Sequence, residues 1–115
     1  MNAATRMALL ATALAPYVAL TAIDAWMHER ERRVPRLEQV FHAIAALLFV
    51  GFIVAVFKAA TNAALVLFAA FAVCAACDEF GFHRQLAARE RWIHFAAYSA
   101  LVVFVGAWRF IESVT

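Results

Sequence analysis

The chain reads as an all-α integral-membrane protein: an antiparallel four-helix bundle, up-down-up-down, in one domain over residues 1–115. Three observations predict this. Hydrophobic residues make up 67% of the 115 and charged ones only 16%, with mean hydropathy +0.81; soluble domains run near half apolar and a quarter charged. The chain holds four apolar runs, each near the roughly 20 residues that cross a bilayer. Short polar segments separate them, and short connections make consecutive helices antiparallel neighbours.

The first helix is expected over 7–28. Arg6, an apolar run and Ala13-Leu14-Ala15 resemble a signal peptide, but Pro16 follows at once and the apolar run continues to Met27. That length reads as a retained span, kinked at Pro16 as membrane helices tolerate. The charged stretch 29–36 is a solvated loop, and Pro35 suits the first turn of the second helix, expected over 36–57. Residues 58–62 make the next break, where Thr61 or Asn62 can cap a third helix over 61–84. Residues 85–89 form a short turn into a fourth helix over 89–112. Trp26 and Trp92 mark one membrane interface and Trp108 the other. Cys74 and Cys77 lie inside an apolar run, where small packing residues are the plainer reading of Cys-x-x-Cys than a redox or metal motif.

Basic residues set the orientation. Arg30, Arg32, Arg33 and Arg36 flank the first connection, and Arg84, Arg89 and Arg91 the third; the opposite side has Arg6, Lys58 and Arg109. The positive-inside rule makes the first and third connections cytoplasmic and the chain N-out and C-out, and a bacterial inner membrane is the expected location.

Every histidine follows an acid by four residues: Asp24 and His28, Glu38 and His42, Glu79 and His83, Glu90 and His94. Residues i and i+4 share a helix face. With 8 acidic residues in 115, chance rarely yields four such offsets that use all the histidines. For any one pair alone, a polar helix end with its acid beside an arginine is the plainer reading. All four pairs fall at the cytoplasmic end. The acid–loop–acid pattern recurs in helices one and two and in helices three and four, which points to a tandem duplication of a helical hairpin.

Antiparallel neighbours invert the order of acid and histidine along the membrane normal. Asp24, Glu79, His42 and His94 form a deeper layer; His28, His83, Glu38 and Glu90 form a shallower one, about 6 Å away. Four carboxylates near low dielectric are costly unless paired or metal-bound. Two divalent transition-metal ions would balance them, with neutral histidines completing the ligand set. Mixed imidazole and carboxylate donors suit iron, the favoured metal, or zinc or manganese. Asp78 lies about 100° around the helix from Glu79 and is a candidate partner for a ligating histidine, or for an arginine. Tyr17 and Tyr98 lie on the ligand faces among alanines, as candidate hydrogen-bond donors or redox partners beside a small apolar cavity.

In ligand logic the pattern resembles the ferritin-like di-metal carboxylate bundles, which combine Glu from two helices with Glu-x-x-His from two others. The resemblance covers the ligand-bearing positions and departs in its uniform i, i+4 spacing and its four histidines. It implies a dinuclear site, with iron first, and no particular reaction.

The leading expectation is therefore a dinuclear metal protein, in its enzymatic form a diiron oxidoreductase acting on a lipophilic small molecule. With zinc it would be a hydrolase. Eight protein ligands for two ions leave few open positions, so structural, storage and sensing roles stay open. A haem-binding cytochrome explains the histidines but not the acid one turn before each. A proton-coupled transporter explains intramembrane carboxylates but not their clustering at one end. Membrane lipids and a lipophilic molecule are the expected partners, nucleic acid is not, and a homo-oligomer stays open.

Overall fold

The computed structural model describes residues 1–31, 35–82 and 88–115, without the side chains of residues 28–31 and 82. The described residues form four helices: α1 (Ala3–Glu31), α2 (Arg36–Phe57), α3 (Thr61–Phe82) and α4 (Ala88–Ser113). All four contain segments long and apolar enough to cross a membrane: Ala3–Met27, Arg36–Phe57, Thr61–Gly81 and Ala88–Ser113. Large apolar side chains such as Leu47, Val66 and Val102 are exposed along them. In a bilayer each helix satisfies its own backbone hydrogen bonds, so such exposure is tolerated.

α1 begins at Ala3, earlier than the expected residue 7, because Asn2 caps it. The Asn2 Oδ1 accepts from Thr5 N–H at 2.8 Å, and the Asn2 carbonyl accepts from Arg6 N–H at 3.0 Å. An Asn oxygen facing the third helical N–H is a favoured N-cap. Pro16 stays inside the helix and removes one i→i−4 donor. The expected end of the third helix at residue 84 and the turn 85–87 lie outside the described residues.

The helices pack as two compact units, α1 with α4 and α2 with α3. In both units partner numbers step in opposite directions. The Phe52 and Phe68 rings meet tilted at 5.2 Å between centroids and those of Phe49 and Phe71 at 5.3 Å, while Arg6 meets Glu112 at 3.7 Å and Asp24 meets His94 at 3.0 Å. The two helices within each pair therefore run antiparallel.

Each seam alternates steps of three and four residues. On α4 the buried positions are Glu90, His94, Ala97, Leu101, Phe104, Trp108 and Ile111. On α1 the buried or half-buried positions Arg6, Leu10, Ala13, Tyr17, Leu20, Asp24 and Met27 keep the same rhythm. In the other unit α2 places Glu38, His42, Ala45, Phe49, Phe52 and Val56 on its seam, and α3 places Ala64, Leu67, Phe71, Cys74 and Asp78. A repeat averaging 3.5 residues keeps two helices in contact along their length. In lipid, where burial between helices brings no hydrophobic gain, such packing is what would hold a pair together.

Trp108 lies on the α4 seam. It is fully buried, because it sits on the seam one turn from Phe104, with the Arg109 guanidinium 5.4 Å from its ring centre. Glu112, read from sequence as a solvated charge, joins the same end. It accepts from Arg109 Nη1 at 3.0 Å and lies 3.7 Å from Arg6.

The α2–α3 turn is a Schellman motif. Ala60 N–H donates to the Ala55 carbonyl at 2.9 Å and Ala59 N–H to the Val56 carbonyl at 3.1 Å, with Ala59 at φ 57°. That left-handed position usually holds Gly. The Ala60 carbonyl then accepts from Ala64 N–H at 2.9 Å, so the N-cap position of α3 is Ala60 rather than the expected Thr61 or Asn62.

Candidate metal centre

The α2–α3 seam changes from apolar to ionisable side chains where α2 begins and α3 ends. On α2 the first two seam positions are Glu38 and His42, and the last on α3 is Asp78. Apolar neighbours along the seam bury these groups: Glu38 is 0% exposed and Asp78 8%. The His42 Nε2 lies 3.0 Å from Asp78 Oδ2 and 3.7 Å from Glu38 Oε1. A carboxylate only accepts, so Nε2–H donates to Asp78. His42 keeps 37% of its side chain exposed, which leaves one side of the cluster open.

Glu38, His42 and Asp78 form a group that could hold a metal ion, one ligand atom from each lying within 4.8 Å of the other two. Bonds of about 2.1 Å to a common ion place two ligand atoms roughly 3.0 to 3.7 Å apart, at angles of roughly 90 to 125°. The His42–Asp78 and Glu38–His42 separations match those limits. An ion here would take the place of the Nε2 proton. Two carboxylates and one imidazole also favour a cation by charge, since a protonated His42 would balance only one of them.

The α1–α4 unit carries the same three residue types. Glu90 and His94 open the α4 seam, 3% and 7% exposed, and Asp24 lies on the α1 seam. The His94 Nε2 donates to Asp24 Oδ1 at 3.0 Å. Each unit thus joins a Glu-x-x-x-His helix to an aspartate on its partner helix. Among the described residues, the three-ligand group is the one in the α2–α3 unit.

The placement of the other sequence candidates differs. Glu79 is half-buried, but the α3 carboxylate that meets His42 belongs to Asp78. The reading of Asp78 as a partner for a ligating histidine matches its contact, and its inclusion in the ligand group goes beyond that reading. The side chain of His28 and the whole of His83 lie outside the described residues. Tyr98 is 39% exposed rather than enclosed, with its ring edge-on to His94 at 6.3 Å between centroids. Tyr17 is buried on the α1 seam, one heptad from Asp24, and its carbonyl accepts from the Thr21 hydroxyl.

Cys74 is buried and its thiol approaches the Phe41 carbonyl at 3.5 Å, whereas Cys77 is exposed. The contact ties α3 to the turn that carries His42, in keeping with a packing role. Sequence spacing within single helices missed the Asp78 assignment. Heptad spacing from Ala64 through Phe71 reaches Asp78, not Glu79, and would have found it.

No protein-family model, curated protein or solved structure matches this chain.

Proposed function

We propose that this protein is an integral-membrane metal-binding protein that holds two divalent transition-metal ions, one at each helix pair, and works as a diiron oxidoreductase on a lipophilic molecule. The observation that carries the reading is the Glu38–His42–Asp78 group on a helix seam, with both carboxylates buried and the two histidine–carboxylate separations of 3.0 and 3.7 Å suited to one ion. Asp24, Glu90 and His94 are assigned to the second ion by their matching types and the 3.0 Å Asp24–His94 contact. His28, Glu79 and His83 complete the two ligand sets in this proposal. The repeated pattern is consistent with a tandem duplication of a hairpin and an up-down-up-down order. The arginines of the first and third connections assign the metal end to the cytoplasmic side.

Iron is favoured because imidazole with carboxylate is its common oxidative donor set; zinc or manganese fits the same donors. Iron bound here would supply one-electron and oxygen chemistry. The chain's own groups would hold the ion in buried surroundings, with the open side of His42 as one approach. Tyr98, touching His94 and exposed on α4, is assigned as the side chain through which a lipophilic molecule reaches that site.

The test is elemental analysis of protein purified in mild detergent without added metal, beside His42→Ala and His94→Ala. About two metals per chain in the wild type, and about one in each variant, support the reading. Wild-type protein that carries none, and takes up no iron, manganese or zinc on anaerobic loading, overturns it.

The paired aspartate–histidine contacts favour a second reading, proton transfer coupled to transport. Metal-stripped protein that still dissipates a pH gradient in liposomes, and loses this with Asp24→Asn or Asp78→Asn, selects it.

A further inference from the structure

The opposite face of α4 from its seam carries a groove of about 430 Å³ lined by Ala88, Arg91, Trp92 and Phe95. These residues occupy the first two turns of a helix apolar enough to span a bilayer, which is where a span meets the headgroup layer. Trp92 and Phe95 are 71% and 64% exposed. Their rings meet edge-to-face at 6.0 Å and 90°, forming one aromatic ledge. Arg91 is exposed beside it and, among the described residues, makes no hydrogen bond or ion pair.

An apolar groove with an exposed arginine among its lining residues has a definite chemical complement. The occupant carries a negative group at the headgroup level and a hydrocarbon chain below it. We propose that this groove is a binding site for one anionic phospholipid, its phosphate on Arg91 and its acyl chain against Trp92 and Phe95. A guanidinium matches phosphate oxygens in a two-point fork. An aromatic ledge with exposed π-faces packs against glycerol and acyl carbons at this depth. A zwitterionic lipid offers the same chain but cancels the phosphate charge with its own amine, so the site discriminates by headgroup. The proposal rests on the reading of α4 as a membrane span and is independent of the metal.

Native mass spectrometry of detergent-purified protein, titrated with phosphatidylglycerol and phosphatidylcholine of equal chain length, tests it. The wild type retains one phosphatidylglycerol in preference to phosphatidylcholine. Arg91→Gln loses that preference, weakening phosphatidylglycerol binding about fivefold, and Arg91→Lys recovers part of it. Trp92→Ala weakens both lipids. Equal retention of the two lipids by the wild type, or an unchanged preference in Arg91→Gln, overturns the proposal. So does full displacement of phosphatidylglycerol by millimolar inorganic phosphate, which would mark a free-anion site. Extraction of the protein from membranes by alkaline carbonate is a separate result that strikes the membrane reading itself.

Discussion

His42 on α2 and Asp78 on α3 meet at 3.0 Å, joining two helices of one unit through an imidazole and a carboxylate. The contact puts Asp78 on the seam, with Glu79 turned about 100° from it. Asp78→Asn keeps the shape and removes the charge. Its metal content should fall by about half relative to wild type, and Glu79→Gln should lose less. Elemental analysis of both variants checks the ranking, and an equal or larger loss in Glu79→Gln would count against the assignment.

Protons compete with a metal for both the imidazole and the carboxylates. Metal retention should therefore rise with pH and fall on acidification, with neutral imidazole the binding form. Dialysis of loaded protein at a series of pH values, followed by metal analysis, checks the direction. Retention that increases as pH falls would contradict it.

Ala59 holds φ 57° at the Schellman position that ends α2. A Cβ there meets the neighbouring carbonyl, a cost of about 1 kcal/mol that glycine avoids. Ala59→Gly should raise the thermal midpoint in detergent without changing metal content. A lowered midpoint would show that the lost chain stiffness outweighs the relief.

Phe104 is fully buried between seam neighbours Leu101 and Trp108 on α4. Phe104→Ala should destabilise the fold by about 3 kcal/mol, through lost packing and the cavity left behind. Denaturant unfolding followed by helical circular dichroism measures this. Val102→Ala, on the exposed face, should cost less than about 1 kcal/mol in the same experiment.

The four helices were legible in the sequence because length and hydropathy alone separate them, and α2 spans Arg36–Phe57 as its apolar run predicts. The start of α1 was missed by four residues because a single side chain, Asn2, extends the helix beyond its apolar core. The site was legible as residue types and as positions near helix ends. Its pairings were not. A four-residue offset shows that Glu38 and His42 share a face of their own helix, but not which acid of another helix that face meets. The same blindness hid the burial of Trp108, since an exposed aromatic and an aromatic on a seam look alike until the partner helix is known.

What the sequence determined by itself is therefore one-dimensional: four long apolar helices and the offsets that put an acid and a histidine on one face of a helix. Only the tertiary structure decided that α4 lies along α1 and α3 along α2, that His94 meets Asp24, and that His42 meets Asp78. The reason is rotational. A helix turns about 100° per residue, so which of two adjacent acids faces a neighbour depends on how both helices are rotated and staggered. Packing along the whole length of the seam sets those angles, and no local spacing records them.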